Sequence, residues 1–339
     1  MSAELQAMGI AGPEIPGLTL RKYRSGDAPA ISELANRYFE AEGLRWRIDA
    51  AEMENWLSGG NEKFDPERDT YLVEVDGTLV ASADTEWVDT TDGLREFRMG
   101  AQVDANWRRR GIGTWLQGLL ERHASELSAT YPTERPKMLG SWAADTENDR
   151  IALLTRFGFE PARYFFDMLR PTLDEIEEPV LPEGLELRPL GDDQLRHLWD
   201  ADVEAFLDHW GGFDSSEENF RKWKSDPKFD PSLFVIAWDG DEIAGGVVNQ
   251  INETENAAFN RRRGWLQSVF VRRPWRRRGL GRAVVLRSLQ VFRDRGMTSA
   301  GLGVDADNPT GALGLYTGTG FEVEIRSTAY RKPMPEEST

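Results

Sequence analysis

Two stretches of this 339-residue chain place arginine and glycine at a spacing suited to an anion. They are VDANWRRRGIG at 103–113 and VRRPWRRRGLG at 271–281; seven of eleven positions agree, and the RRRGxG core differs at one. A strand entering Gly-x-Gly and leaving as a helix points several unpaired backbone N–H groups at one spot, where the positive helix end also favours phosphate. Glycine lets that backbone approach closely, and neighbouring arginines add charge-assisted bonds. Neither turn carries the Gly-Lys-Ser/Thr of an NTP-binding loop, and neither has the third glycine or the first-strand position of a dinucleotide fingerprint. Downstream of the second turn lie Asn308, Tyr316 and Gly320-Phe321. Read alone, Tyr316 is an aromatic on the buried face of a short helix.

The elements that must position these groups recur at offsets of 162 to 168 residues. Leu18-Thr-Leu-Arg21 opens the first half and Leu185-Glu-Leu-Arg188 the second; Asp76-Gly77 and Asp239-Gly240 read as hairpin turns. Gly158-Phe159 and Gly320-Phe321 each close a short helix, with glycine where a C-cap needs it. In the second half the pattern predicts a strand at 185–190, a helical region at 192–224, and strands at 233–238, 242–251 and 265–271. A helix follows the glycine turn, then a strand at 299–304, a helix capped by Asn308-Pro309, and a last strand at 322–330. In the first half, Leu116, Leu119, Leu120, His123, Ala124 and Leu127 keep helical spacing after the turn. The Pro- and acid-rich stretch 171–184 reads as a linker. The expected domains are therefore 1–172 and 185–339, joined by 173–184. The fold class is α/β: two tandem modules, each a mixed twisted sheet flanked by helices.

Composition narrows the function. With 40% hydrophobic and 29% charged residues the chain is a globular protein, and no apolar run reaches the length of a membrane span. The N-terminus lacks the basic-then-apolar build of a secretory signal, so the expected compartment is the cytoplasm. No cysteine is present, which removes disulfides, thiolate metal sites and a cysteine nucleophile, and three scattered histidines do not suggest a metal centre. A net charge of −17 opposes binding to nucleic acid or anionic lipid, so the arginine clusters read as local anion sites.

In combination, these motifs resemble the GNAT superfamily of acyl-CoA-dependent N-acetyltransferases. Its signature, Gln/Arg-x-x-Gly-x-Gly/Ala, is matched by Arg276-x-x-Gly279-x-Gly281 and by Arg108-x-x-Gly111-x-Gly113, and its later Asn, Ala, Tyr and Gly-Phe by Asn308, Ala312, Tyr316 and Gly320-Phe321. The resemblance implies acetyl-CoA as cosubstrate and no metal. It implies a diphosphate on the main chain of Arg276, Arg277, Arg278, Gly279, Leu280 and Gly281. It also implies that backbone groups of Val269, Phe270 and Val271 align the pantetheine arm, with Asn308 touching that arm and Tyr316 as general acid. The first half departs from the pattern: Leu154 stands where the tyrosine belongs, and the Asn148-to-Phe159 stretch is two residues shorter than Asn308-to-Phe321. The second half is therefore expected to be catalytic. The first is expected to be degenerate, shaping the acceptor cleft.

Acyl transfer also needs a neutral amine. Glu204 and Asp208 share a helix face, next to His209 and Trp210; Asp305 and Asp307 are further candidates for the base, and the choice stays open, with a solvated helix end as the simpler account. The expected acceptor is the primary amine of a small molecule, reached by direct transfer in a ternary complex. The tandem arrangement also resembles mycothiol synthases, which acetylate a cysteinyl pseudodisaccharide, and that acceptor is the alternative. A non-catalytic acyl-CoA-binding sensor is the competing class.

Overall fold

The computed structural model describes residues 12–207, 209–211, 215–308 and 311–335; Asp208 and Pro309 lie outside them. The chain forms two compact units, one of Met1–Ala162 with Thr328–Thr339, the other of Arg163–Ser327.

The strands are β1 (Leu18–Lys22), β2 (Thr70–Val75), β3 (Thr78–Asp89), β4 (Arg95–Val103), β5 (Lys137–Ala144), β6 (Glu160–Arg170), β7 (Glu186–Leu187), β8 (Val235–Asp239), β9 (Glu242–Ile251), β10 (Arg263–Val271), β11 (Ser299–Asp305) and β12 (Glu322–Pro333). In the first unit β1, β2, β3 and β4 form an antiparallel run and β5 joins β4 in parallel. In the second, the order β6-β11-β10-β9-β8-β7 repeats that plan from the other end, with β11 parallel to β10. Strand pairing within each unit is mixed, as the sequence pattern predicts.

The boundaries between units fall elsewhere than the composition suggests. Phe165–Arg170 of β6 pairs antiparallel with β11, so the end of the first sequence repeat completes the second unit. From Thr328 onward β12 belongs to the first unit, where the Met334 amide donates to the Lys137 carbonyl at 3.0 Å. The segment read as a linker lies inside the second unit and packs Leu173, Ile176 and Leu181 into its core. Its apolar residues, spaced between prolines and acids, are what tie it down.

Two further expectations change. The strand predicted at 185–190 shrinks to Glu186–Leu187, because Arg188 and Leu190 lead into a 3-10 turn at Asp192–Gln194. Asn308 does not cap a helix: the helix is Ala312–Thr317, and Gly311 in the left-handed region stands at its N-cap. The Gly-Phe closures do form, the Phe321 amide donating to Tyr316 O and the Phe159 amide to Leu154 O, each at 3.0 Å.

The core of the second unit is set by helix Leu280–Asp294, which buries Leu280, Val284, Val285, Leu289 and Phe292 against β8–β11. Phe292 lies flat on β10 where that strand carries Gly264, so a Cβ at residue 264 would sit 2.3 Å from the ring. Substituting Gly264→Ala therefore forces the ring or strand to move, at a cost of about 1–3 kcal/mol. The expected result is a melting temperature several degrees lower by calorimetry, with the far-ultraviolet circular dichroism spectrum unchanged.

Candidate active site: a parted strand pair above an arginine–glycine turn

The parallel pairing of β10 with β11 runs only from Arg263↔Ser299 to Leu266↔Leu302, although both strands continue. Beyond that point β10 stays bonded to β9 through Val271, with a register shift between Leu266 and Ser268. One side of β10 at Val269–Val271 thus faces a gap instead of a neighbour. A cavity of about 720 Å³ opens there. Val269, Phe270 and Val271 line it from the strand, Arg276, Arg277, Gly279, Leu280 and Gly281 from the turn, and Asn308 and Tyr316 from the segment after β11.

The turn has the shape an anion needs. Arg277 (φ 59°) and Gly279 (φ 89°) both lie in the left-handed region, alternating with extended backbone at Arg276, which has φ −65° and ψ 156°. The two left-handed residues turn the chain sharply from β10 into the helix start. The first-turn amides of Leu280, Gly281 and Arg282 have no intrahelical acceptor and border the same cavity.

The three arginines divide their work. Arg276 turns inward: Nε donates to Val271 O at 2.9 Å and Nη2 to Ala205 O at 3.0 Å, tying turn, strand and helix Leu195–Phe206 together. Arg277 borders the cavity, and no side-chain partner for it exists among the described residues. Arg278 does not line the cavity; its Nη2 donates to Glu183 O at 3.3 Å. Arg282, which the sequence motifs did not single out, lines it and pairs with Glu177 at 2.7 Å.

Tyr316, on helix Ala312–Thr317, is 6% exposed, with its ring edge-on to Phe321 at 6.1 Å. Burial pushes its phenol up, so it stays protonated. The candidate bases fare differently. Asp305 is buried at the cavity floor and held by both nitrogens of an Arg163 fork, at 2.8 and 2.9 Å. Asp307 is exposed, 3.9 Å from the same arginine. Glu204 does not line the cavity and accepts from Arg272 Nε at 2.8 Å. His209 and Trp210 do line it, and Trp210 stands 5.9 Å from the Phe165 ring. Arg163 and Phe165 escaped the sequence reading because they precede the apparent linker.

The acetyltransferase (GNAT) family pattern matches residues 194–321. The mycothiol acetyltransferase of Streptomyces bingchenggensis is 30% identical over 265 residues, covering 76% of this chain and 79% of that protein. That of Geodermatophilus obscurus is 28% identical over 309 residues, 89% and 93% of the two chains. The chain belongs to the GNAT acetyltransferase family. A GCN5-related N-acetyltransferase from Sphaerobacter thermophilus superposes with a TM-score of 0.71 at 27% identity, over 96% of this chain and 98% of that one. A tandem GNAT protein from the clavulanic acid biosynthesis pathway superposes at 0.69, over 95% and 100%; at 15% identity it speaks to the fold alone. The chain is thus a GNAT-type N-acetyltransferase of the tandem, two-domain kind. No helix among its described residues is long and apolar enough to cross a membrane.

The first GNAT unit keeps the turn and loses the gap. Arg109 (φ 60°) and Gly111 (φ 87°) repeat the backbone of Arg277 and Gly279, and Arg108 Nε donates to Val103 O at 3.2 Å as Arg276 does to Val271. Pairing of β4 with β5 likewise stops at Arg98↔Gly140. Between the parted strands, however, lies the Arg150 guanidinium, donating to Met99 O, Ala101 O and Trp142 O and, at 2.9 Å, to Ser141 Oγ. The adjoining cavity is only about 260 Å³, Arg109 is 3.3 Å from Asp149, and Leu154, at the tyrosine position, is buried.

Titration calorimetry with CoA is expected to give one site per chain. Arg277→Ala should weaken that binding about tenfold, the loss of one charge-assisted contact, whereas Arg278→Ala stays within about twofold of wild type. Equal effects from the two substitutions would contradict this division of roles.

Proposed function

We propose that the second unit acetylates the primary amine of a cysteinyl pseudodisaccharide, as in mycothiol synthesis, with acetyl-CoA as donor. The observation that carries this reading is the similarity to mycothiol acetyltransferases across both units, 89% of the chain in one case. The polar and aromatic wall of His209, Trp210 and Asp305, the last held by Arg163, suits a hydroxyl-rich acceptor.

The fit of the donor rests on groups the chain leaves open: the amides of the turn, the uncommitted Arg277 and the unpaired side of β10. When bound, acetyl-CoA supplies the activated acetyl thioester. The turn amides and Arg277 hold its diphosphate, and Val269–Val271 present main-chain donors and acceptors to its arm, as a missing strand would. Asn308 reaches the same arm. Tyr316 holds a proton at its phenol oxygen for the leaving sulfur, and its raised pKa keeps that proton in place through neutral and mildly alkaline pH. A chain without cysteine has no thiol to carry the acetyl group, which favours direct transfer with both substrates bound. The same reading sets the enzyme in the cytoplasm.

The net charge of −17 supports a second reading, in which a smaller cationic amine such as an amino sugar or polyamine is the acceptor. Release of free CoA thiol separates the two. The cysteinyl pseudodisaccharide is expected to exceed amino sugars and polyamines in kcat/KM by at least about tenfold; the reverse ranking would hand the site to the second reading.

Tyr316→Phe is expected to lower kcat by roughly one to three orders of magnitude while the Kd for CoA stays within about twofold. Unchanged turnover would remove Tyr316 from the proton-donor role.

A further inference from the structure

A hydroxyl–carboxyl pair stands at the point where β10 and β11 part. Ser268 is the first residue of β10 after the register shift and immediately precedes Val269 of the cavity wall. Its hydroxyl donates to Asp202 Oδ1 at 2.6 Å. Asp202 lies on helix Leu195–Phe206, three and four residues before Ala205 and Phe206 of the cavity lining, so the pair stands directly behind that lining. The register shift is what gives Ser268 its position: two strand residues oppose the span of one on β9, so the chain bends at the mouth of the gap.

Among the described residues, the other carboxylates considered for the base pair with arginine: Asp305 and Asp307 with Arg163, Glu204 with Arg272. Among the described residues no cation pairs with Asp202. The charged groups on the surrounding elements have other partners or face water. Glu242 of β9 goes to Arg272, Arg263 of β10 to Glu324, Arg196 to Asp200 and Glu217, and Lys224 lies over the Phe220 ring. Arg221 donates to Glu217 O, and His197 packs on Trp238. Glu218 and Lys222 also have partners, and Asp192 and Asp193 lie in the turn before the helix.

We propose that Ser268 and Asp202 form the proton outlet for the acceptor, Ser268 meeting the acceptor nitrogen and relaying its proton to Asp202. An ammonium must lose two protons to become an amide. The first passes to Ser268 Oγ as the serine proton moves to Asp202, which frees the nitrogen pair. The nitrogen–carbon bond then forms as the carbon–sulfur bond breaks with its electron pair on sulfur. Sulfur takes a proton from Tyr316, and the second nitrogen proton restores the phenol through solvent. The net yield is amide, thiol and one proton, which Asp202 returns to water. Burial pushes Asp202 up to about 6, against the lowering effect of the Ser268 bond, so it is a competent acceptor near neutral pH. The relay rests on the acetyltransferase activity and not on which amine is accepted.

The test uses the full chain, with Asp202→Asn, Ser268→Ala and, as conservative controls, Asp202→Glu and Ser268→Thr. Thiol release is followed from pH 5.5 to 9 with the cysteinyl pseudodisaccharide. Wild-type kcat is expected to fall below about pH 6. Asp202→Asn and Ser268→Ala should each lower kcat about a hundredfold with the acetyl-CoA KM within twofold, and should move the acid limb upward toward the amine's own pKa. Ser268→Thr should recover most of the rate, and the Thr and Glu variants serve if the first pair fails to fold. A merely structural pair would change melting temperature or KM and leave the limb in place. An Asp202→Asn enzyme within threefold of wild type, or with the same limb, overturns the relay. If the cysteinyl amine gives no turnover, the acceptor reading fails separately. The relay is then read on CoA release by water attack without acceptor, which must fall by a similar factor in Asp202→Asn.

Discussion

A buried strand must bond its main-chain groups on both sides, and β10 stops doing so on one side after Leu266. That one unmet requirement organises the second unit. It opens the cavity, directs the unpaired main chain of Val269–Val271 into it, and sets the arginine–glycine turn at its lower end, because the turn is the direct continuation of β10. The first unit meets the same requirement differently. There the strands part at the equivalent point, and the Arg150 guanidinium supplies donors to carbonyls on both sides. One unit leaves the vacancy open; the other fills it from its own sequence.

Arginine shapes the site mostly by holding other groups still. Arg276 ties the turn to β10 and to helix Leu195–Phe206, Arg163 pins Asp305, and Arg272 bridges Glu204 and Glu242. These pairings leave Arg277 as the turn's uncommitted charge, in a protein whose net charge is −17. One open arginine beside the turn amides suits the charged end of a polyanionic cosubstrate without a broad basic surface.

Much of this was legible in the sequence because backbone-driven features leave strong local marks. The Arg-x-x-Gly-x-Gly turns, the hairpins at Asp76-Gly77 and Asp239-Gly240 and the Gly-Phe helix endings depend on residues with special conformational preferences, and all of them form. Of the positions the family resemblance pointed to, Val269–Val271, Arg276, Arg277 and Gly279–Gly281 line the cavity, whereas Arg278, whose direction is set by the distant Glu183 carbonyl, does not. What escaped depends on tertiary partners. Nothing local marks Arg150 as the group that fills a gap, or commits Asp305 to an arginine 142 residues away. The proline- and acid-rich segment 171–184 imitates a linker until its leucines find the core. The Asn308-Pro309 pair looks like a helix start, but the helix waits for Gly311.

Strands β6 and β12 each change allegiance midway: β6 leaves the first repeat to complete the second unit, and β12 leaves the second to complete the first. Cutting the gene at its apparent joint would deprive each product of a border strand, so the two copies are no longer separable parts. A chain that has traded strands in this way ties the integrity of each copy to the presence of the other.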